Sequence, residues 1–226
     1  MSLSENLSFS PENFSGRVRL FPLPNLVVFP HVMQPLHIFE PRYRAMLEEA
    51  LADDRLIGMS LLAPGWEQDY EGRPPLRPVG CLCRVATYHK TDEGSYNVLV
   101  LGLRRMVIER ELPAEKTFRV AEVQLCEDRY PDAVAAQRPE LQRRLLAAFK
   151  RVLPRIPEAY EQLDQLLGSE IPLGMLTDIV AYTLDIELDF KERLLTEAGV
   201  DQRAQLLLEH LNRLRKAIFP PEFSIN

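Results

Sequence analysis

Arg17-Val18-Arg19-Leu20-Phe21-Pro22-Leu23-Pro24-Asn25-Leu26-Val27-Val28-Phe29-Pro30, followed by Pro35-Leu36-His37-Ile38-Phe39-Glu40-Pro41-Arg42-Tyr43, is the stretch on which the fold turns. Residues 17–21 and 26–29 are rich in branched and aromatic side chains and read as short strands. Six of the 18 prolines fall by position 41. Each removes a ladder donor, so these strands must be short, bulged or at edges, which an open or barrel-like sheet tolerates best. Pro41 suits the first turn of a helix, where a missing N–H costs little. Tyr43, Met46, Leu47, Ala50 and Leu51 then recur at helical spacing, predicting one amphipathic helix over 41–52 among strands.

The same alternation continues beyond this helix. Residues 56–62 form the next strand, and 63–78 a long loop with four prolines and two glycines. Loops of that length within a compact domain are often functional. Residues 79–89 and 96–102 flank Thr91-Asp92-Glu93-Gly94-Ser95 as a hairpin. Residues 106–108 and 118–125 add two more strands, for six to eight in all. The polar residues 1–16 are expected to be a loose leader.

Near Glu127 the period changes from runs to every third or fourth residue. Leu141, Leu145, Ala148, Phe149 and Val152 make one stripe. Tyr160, Leu163, Leu166 and Leu167 make a second, and Leu173, Leu176, Ile179, Val180 and Leu184 a third. Leu194, Leu195 and Ala198 precede Gly199, which reads as a helix stop. Asp201 reads as the cap of a last helix that Pro220-Pro221 ends, with Leu207, Leu211, Leu214 and Ile218 on one face. The expected class is α+β: a β-rich lobe over 17–127 with one embedded helix, then an all-α bundle over 128–226.

Composition narrows the function. With 27 Lys and Arg against 33 Asp and Glu the chain is formally −6, and residues 1–127 and 128–226 share this as −3 each. That disfavours a nucleic-acid surface, which needs positive charge to release counterions. No apolar run approaches the roughly 20 residues of a membrane helix, and the first fifteen residues, without Lys or Arg and leading into no long apolar stretch, are not expected to be a secretory signal. Three cysteines do not make a disulfide framework. A cytoplasmic protein is expected.

The motifs of known chemistries are missing. The chain has no Gly-x-x-x-x-Gly-Lys phosphate loop and no Gly-x-Ser-x-Gly elbow. Cys81-Leu82-Cys83 is not zinc spacing and reads as buried thiols. His31 and His37 are separated by proline, His89 sits at the hairpin end, and His210 borders the last apolar stripe; none has ligand spacing. No catalytic residue, cofactor or metal is therefore expected.

The quoted stretch resembles the opening of the Lon protease amino-terminal, or Lon substrate-binding, domain family. Val79-Gly80-Cys81-Leu82-Cys83-Arg84-Val85 with Gly94 and Asn97-Val98-Leu99-Val100-Leu101-Gly102-Leu103-Arg104-Arg105 is similar to its central hairpin. Asp178-Ile179-Val180-Ala181 and Lys191-Glu192-Arg193-Leu194-Leu195 are similar to its helical half. The resemblance implies a PUA-like pseudo-barrel lobe followed by helices. It further implies a stand-alone member without ATPase or peptidase domains, a non-catalytic module that binds unfolded or partner polypeptide. RNA binding, common among PUA-like folds, is the alternative that the net charge disfavours.

Within that reading, Trp66 and Tyr70 are the candidate partner contacts, as aromatics in the long loop; Trp66 can equally fold back to plug the barrel. Glu40, Arg42 and Arg105 either form ion pairs fixing the helix to the sheet or line a cleft. Pro22, Phe29, Pro35, Leu36, Ile38 and Phe39 read as core and turn residues. The oligomeric state is open.

Overall fold

The computed structural model describes residues 9–152 and 171–218. Six strands, β1 (Arg17–Leu23), β2 (Met33–Ile38), β3 (Leu56–Leu62), β4 (Leu76–Lys90), β5 (Tyr96–Glu111) and β6 (Arg119–Cys126), form one sheet in the order β2-β5-β4-β3-β1-β6. A further β5–β6 pairing closes it into a barrel. Helix α1 (Pro41–Ala52) lies between β2 and β3, and α2 (Arg138–Val152), α3 (Leu173–Thr183), α4 (Leu188–Thr196) and α5 (Val200–Ile218) follow β6. The α+β expectation of a β pseudo-barrel with one embedded helix, followed by helices, holds.

Closure depends on the length of β5. Sixteen residues let it serve two partners on one edge: Tyr96 to Leu101 pair with β2, while Arg105 to Glu111 pair with β6. The separate strands expected at 96–102 and 106–108 are thus one. Register shifts between Leu82 and Cys83, Val85 and Thr87, and Ile108 and Arg110 bend the long ladders, as bulges do.

Val18, Leu20, Leu56, Leu82, Leu103, Met106, Ala121 and Val123 form one buried cluster. Gly58 makes room for it: a Cβ there would lie 2.7 Å from Met106 Cε. The opposite face of β1 and β3 is covered by α1, with Phe21 and Tyr43 ring centroids 4.5 Å apart. Every residue of β3 is buried, which explains its unbroken apolar run.

Three details depart from the sequence reading. Residues 26–29 form no ladder; β2 is the strand instead. Val27, Val28 and Phe29 are nonetheless buried, because this segment crosses β5 at Gly102. A Cβ on Gly102 would sit 2.0 Å from the Phe29 carbonyl oxygen. His31 N–H donates to Gly102 O at 2.8 Å, and Gly102 N–H donates to Val32 O at 2.9 Å. The expected leader includes regular chain: Pro11–Asn13 is a short 3-10 turn, and Phe9 and Phe14, edge-on to each other, pack against the barrel cluster. Residues 1–8 lie outside the described set. The long loop ends at Pro75, since Leu76 already pairs with Leu62.

Two compact units emerge. The first holds the chain up to Glu127 together with Asp185–Thr196; the second holds Asp128–Leu184 and the chain from Glu197. Helix α4 therefore groups with the β unit rather than with α2, α3 and α5; it buries Leu194 and Leu195 and is bonded to β4 and β5. Arg77 pairs with Asp189 at 3.1 Å and Glu192 at 3.9 Å, and Arg105 Nε donates to Leu195 O at 2.9 Å.

In the second unit, Leu145 and Phe149 of α2, Leu176 and Val180 of α3, and Ala204, Leu207 and Leu211 of α5 are buried. Asp201, expected as a cap, sits one residue inside α5 and pairs with Arg138 at 2.9 Å. The stripe at Tyr160, Leu163, Leu166 and Leu167 and the stop at Pro220-Pro221 lie outside the described residues.

Candidate functional site

Four of the five residues singled out in the sequence meet at the start of α1. Glu40 is its extended N-cap residue, yet its carboxylate makes no cap hydrogen bond, because other donors occupy it. Tyr70 Oη donates to Glu40 Oε1 at 2.7 Å, and Arg42 Nε donates to Oε2 at 3.0 Å, with Nη2 in ion-pair range of the same oxygen at 2.9 Å. Arg42 Nη1 donates to the Tyr70 carbonyl at 3.2 Å. The guanidinium lies 4.8 Å from both the Tyr43 and Tyr70 ring centroids, a cation–π sandwich. Trp66 meets Tyr70 edge-on at 5.5 Å. Gly65, at φ 88°, supplies the left-handed turn that starts the short helix Trp66–Asp69. Burial, then the bond to the Glu40 carboxylate, pushes the Tyr70 phenol up.

Both aromatics are half-buried. The loop is strapped to the helix, and Glu40 and Arg42 form the ion pair considered from sequence. Arg105 is a different case. It is 3% exposed on β5, where it donates to the Leu195 carbonyl; burial under α4 removes it from any surface a partner could touch.

A second surface was not legible as a site. Phe39, read as a core or turn residue, is 63% exposed. Its ring stacks on His37 with centroids 5.9 Å apart. Among the described residues of this unit, Met33 and Tyr88 are the other large exposed apolar side chains. Register places Pro35, Leu99 and Thr87 in one row across β2, β5 and β4, and His37, Asn97 and His89 in the next. These rows line an open groove of about 550 Å³. The available signal was the period of two in Met33, Pro35, His37 and Phe39, which marks one strand face.

Residues 17–213 match the family described as the ATP-dependent protease La (LON) substrate-binding domain. The chain belongs to that family. Relatives within the Lon group include a Lon protease of Anaeromyxobacter dehalogenans, 29% identical over 208 residues that make up 92% of this chain and 24% of the relative. A Lon protease of Brevibacillus choshinensis is 30% identical over 202 residues, 88% of this chain and 25% of the relative. The chain thus spans about a quarter of the length of the curated Lon proteases it matches. The fold is that of the N-terminal domain of the Mycobacterium avium complex Lon protease, with TM-score 0.67, 20% identity and coverage of 87% of this chain and 98% of that one. A Lon N-terminal domain protein from Xanthomonas campestris aligns with TM-score 0.60 at 20% identity, over 85% and 97%.

In this Lon substrate-binding domain the β unit carries both candidate surfaces. Phe39, at the end of the exposed β2 face, is bonded directly to Glu40, which holds the Trp66–Tyr70 loop. No helix among the described residues is long and apolar enough to cross a membrane.

Proposed function

We propose that this chain is a recognition module, without catalysis of its own, that binds unfolded or extended polypeptide on the outer face of β2, β5 and β4. The single observation that carries the reading is Phe39, 63% exposed at the end of an edge strand. A large apolar side chain held in water, stacked on His37 at the mouth of a shallow groove and at the far end of the strand face that begins with exposed Met33, is the signature of a docking surface. Trp66 and Tyr70, with Glu40 and Arg42 bracing them, extend this surface as an ordered aromatic wall.

The strand edge itself is blunted. Pro35 has no N–H to offer, and Gln34 Nε2 donates to the Pro35 carbonyl at 2.9 Å. Recognition therefore works through side chains on the face rather than by adding a strand to the sheet. Adding an unfolded polypeptide such as β-casein to isotopically labelled protein tests the assignment. Amide resonances of Met33, Phe39, Tyr88 and Leu99 should shift; perturbations confined to the helical unit would contradict it.

A further inference from the structure

We propose that the groove selects polypeptide segments in which a carboxylate accompanies an apolar side chain, and that His37 and His89 supply this selectivity in a pH-dependent way. The inference rests on the polypeptide-binding reading above and specifies its ligand. Pro35 and Leu99 give the groove an apolar row, and the adjacent row, His37, Asn97 and His89, ends it with two imidazoles on either side of an amide. His37 Nδ1 lies 2.8 Å from Asn97 Oδ1. A carboxamide oxygen only accepts, so Nδ1–H is the donor and Nε2 is left to a ligand. In the neutral ring Nε2 accepts; once protonated it donates a charge-assisted bond to a carboxylate.

The charged surroundings favour this. Along β2, His37 is the only ionisable side chain. Glu40, just beyond, is closed by Arg42. On β4 the neighbour of His89 is Lys90, whose ammonium stands over the Tyr96 ring at 5.2 Å and 3.8 Å from Glu48. From α1, Glu48 also accepts from Tyr96 Oη, and Arg44 donates to the Gly94 carbonyl. Asp92 and Glu93 are exposed in the turn after His89 and are the carboxylates that temper the positive end. β5 contributes only Asn97 to the row. With both imidazoles protonated, the row itself carries two added positive charges on a chain that is −6 as a whole.

The test uses two fluorescein-labelled Ser-rich peptides, each with two Leu and either two Asp or two Lys, in anisotropy titrations at about pH 5.5 and about pH 8. The acidic-over-basic affinity ratio of the wild type should rise about fivefold on acidification. In the His37→Gln, His89→Gln double variant it should change less than about twofold; both sites are exposed, and circular dichroism checks the fold. The double variant's own change with pH is the baseline for the effect of overall charge. Asn97→Asp, which sets a carboxylate between the imidazoles, should shift preference toward the Lys peptide. A ratio that rises equally in the double variant, or does not move in the wild type, would overturn the inference while leaving polypeptide binding intact. If neither peptide binds the wild type at either pH value, both readings fall.

Discussion

Tyr70 Oη and Glu40 Oε1 are 2.7 Å apart across thirty residues of chain, and this bond fixes an aromatic loop to the first turn of α1. The rest of the loop between β3 and β4 is held by polar bonds, Arg42 to the Tyr70 carbonyl, Arg119 to the Pro74 carbonyl and Arg73 to Glu111, since its remaining large aliphatic, Leu76, already belongs to β4. Tyr70→Phe should cost about 1 kcal/mol. The loop should become the first site of proteolytic nicking and exchange its amides faster, while the global melt falls by only a few degrees. Unchanged loop exchange would show that the arginine contacts hold the segment without it.

Gly102 is expected to tolerate no side chain. A Cβ there meets the Phe29 carbonyl oxygen at 2.0 Å, and that obstacle is backbone, which cannot rotate away. Gly102→Ala should destabilise by about 3 kcal/mol or more by forcing the crossing segment off β5. Chemical denaturation measures it directly.

In the helical unit, Arg203 is 1% exposed and bidentate on Asp128, at 2.9 and 2.8 Å. Its Nε donates to Thr177 Oγ1 at 2.9 Å, and Asp178 lies 3.9 Å away. Asp128→Ala leaves a buried guanidinium with its main anion gone and should cost about 3 kcal/mol. Arg203→Met, which removes the charge as well, should cost less, and thermal melts of the two variants compare them.

Acid should weaken the β unit through Glu111. Burial pushes its carboxyl up, but Arg119, at 2.7 Å, and Arg73 outweigh this and hold it below the usual carboxylate range. A folded pKa below the unfolded one gives stability that is present above the unfolded value, about 4.3, and lost as pH falls through the folded one. Between about pH 5 and pH 3 the urea midpoint of wild type should fall further than that of Glu111→Gln. Equal losses would contradict the assignment.

What could be read from sequence was periodicity. Tyr43, Met46, Leu47 and Ala50 mark α1 because helix spacing and burial coincide there, and all four are buried. The apolar run 26–29 misled because burial without a ladder looks the same as a strand in one dimension. Only the glycine at 102, a long-range partner, shows that it crosses rather than pairs. The grouping of α4 with the barrel was hidden for the same reason: Arg77 and Asp189 are 112 residues apart. At the candidate site, Glu40, Arg42, Trp66 and Tyr70 were legible as individual residues, though not as one cluster. Phe39 was concealed, because an aromatic in an apolar motif reads as core until its exposure is known.

The most direct test of polypeptide recognition is the affinity of Phe39→Ser for fluorescein-labelled β-casein, measured by anisotropy beside the wild type and a Trp66→Ala, Tyr70→Ala variant. Phe39 is 63% exposed, so its melting temperature should stay near that of the wild type. Loss of a central aromatic contact should weaken binding about tenfold or more. Wild-type affinity in Phe39→Ser, with its fold intact, would contradict the account.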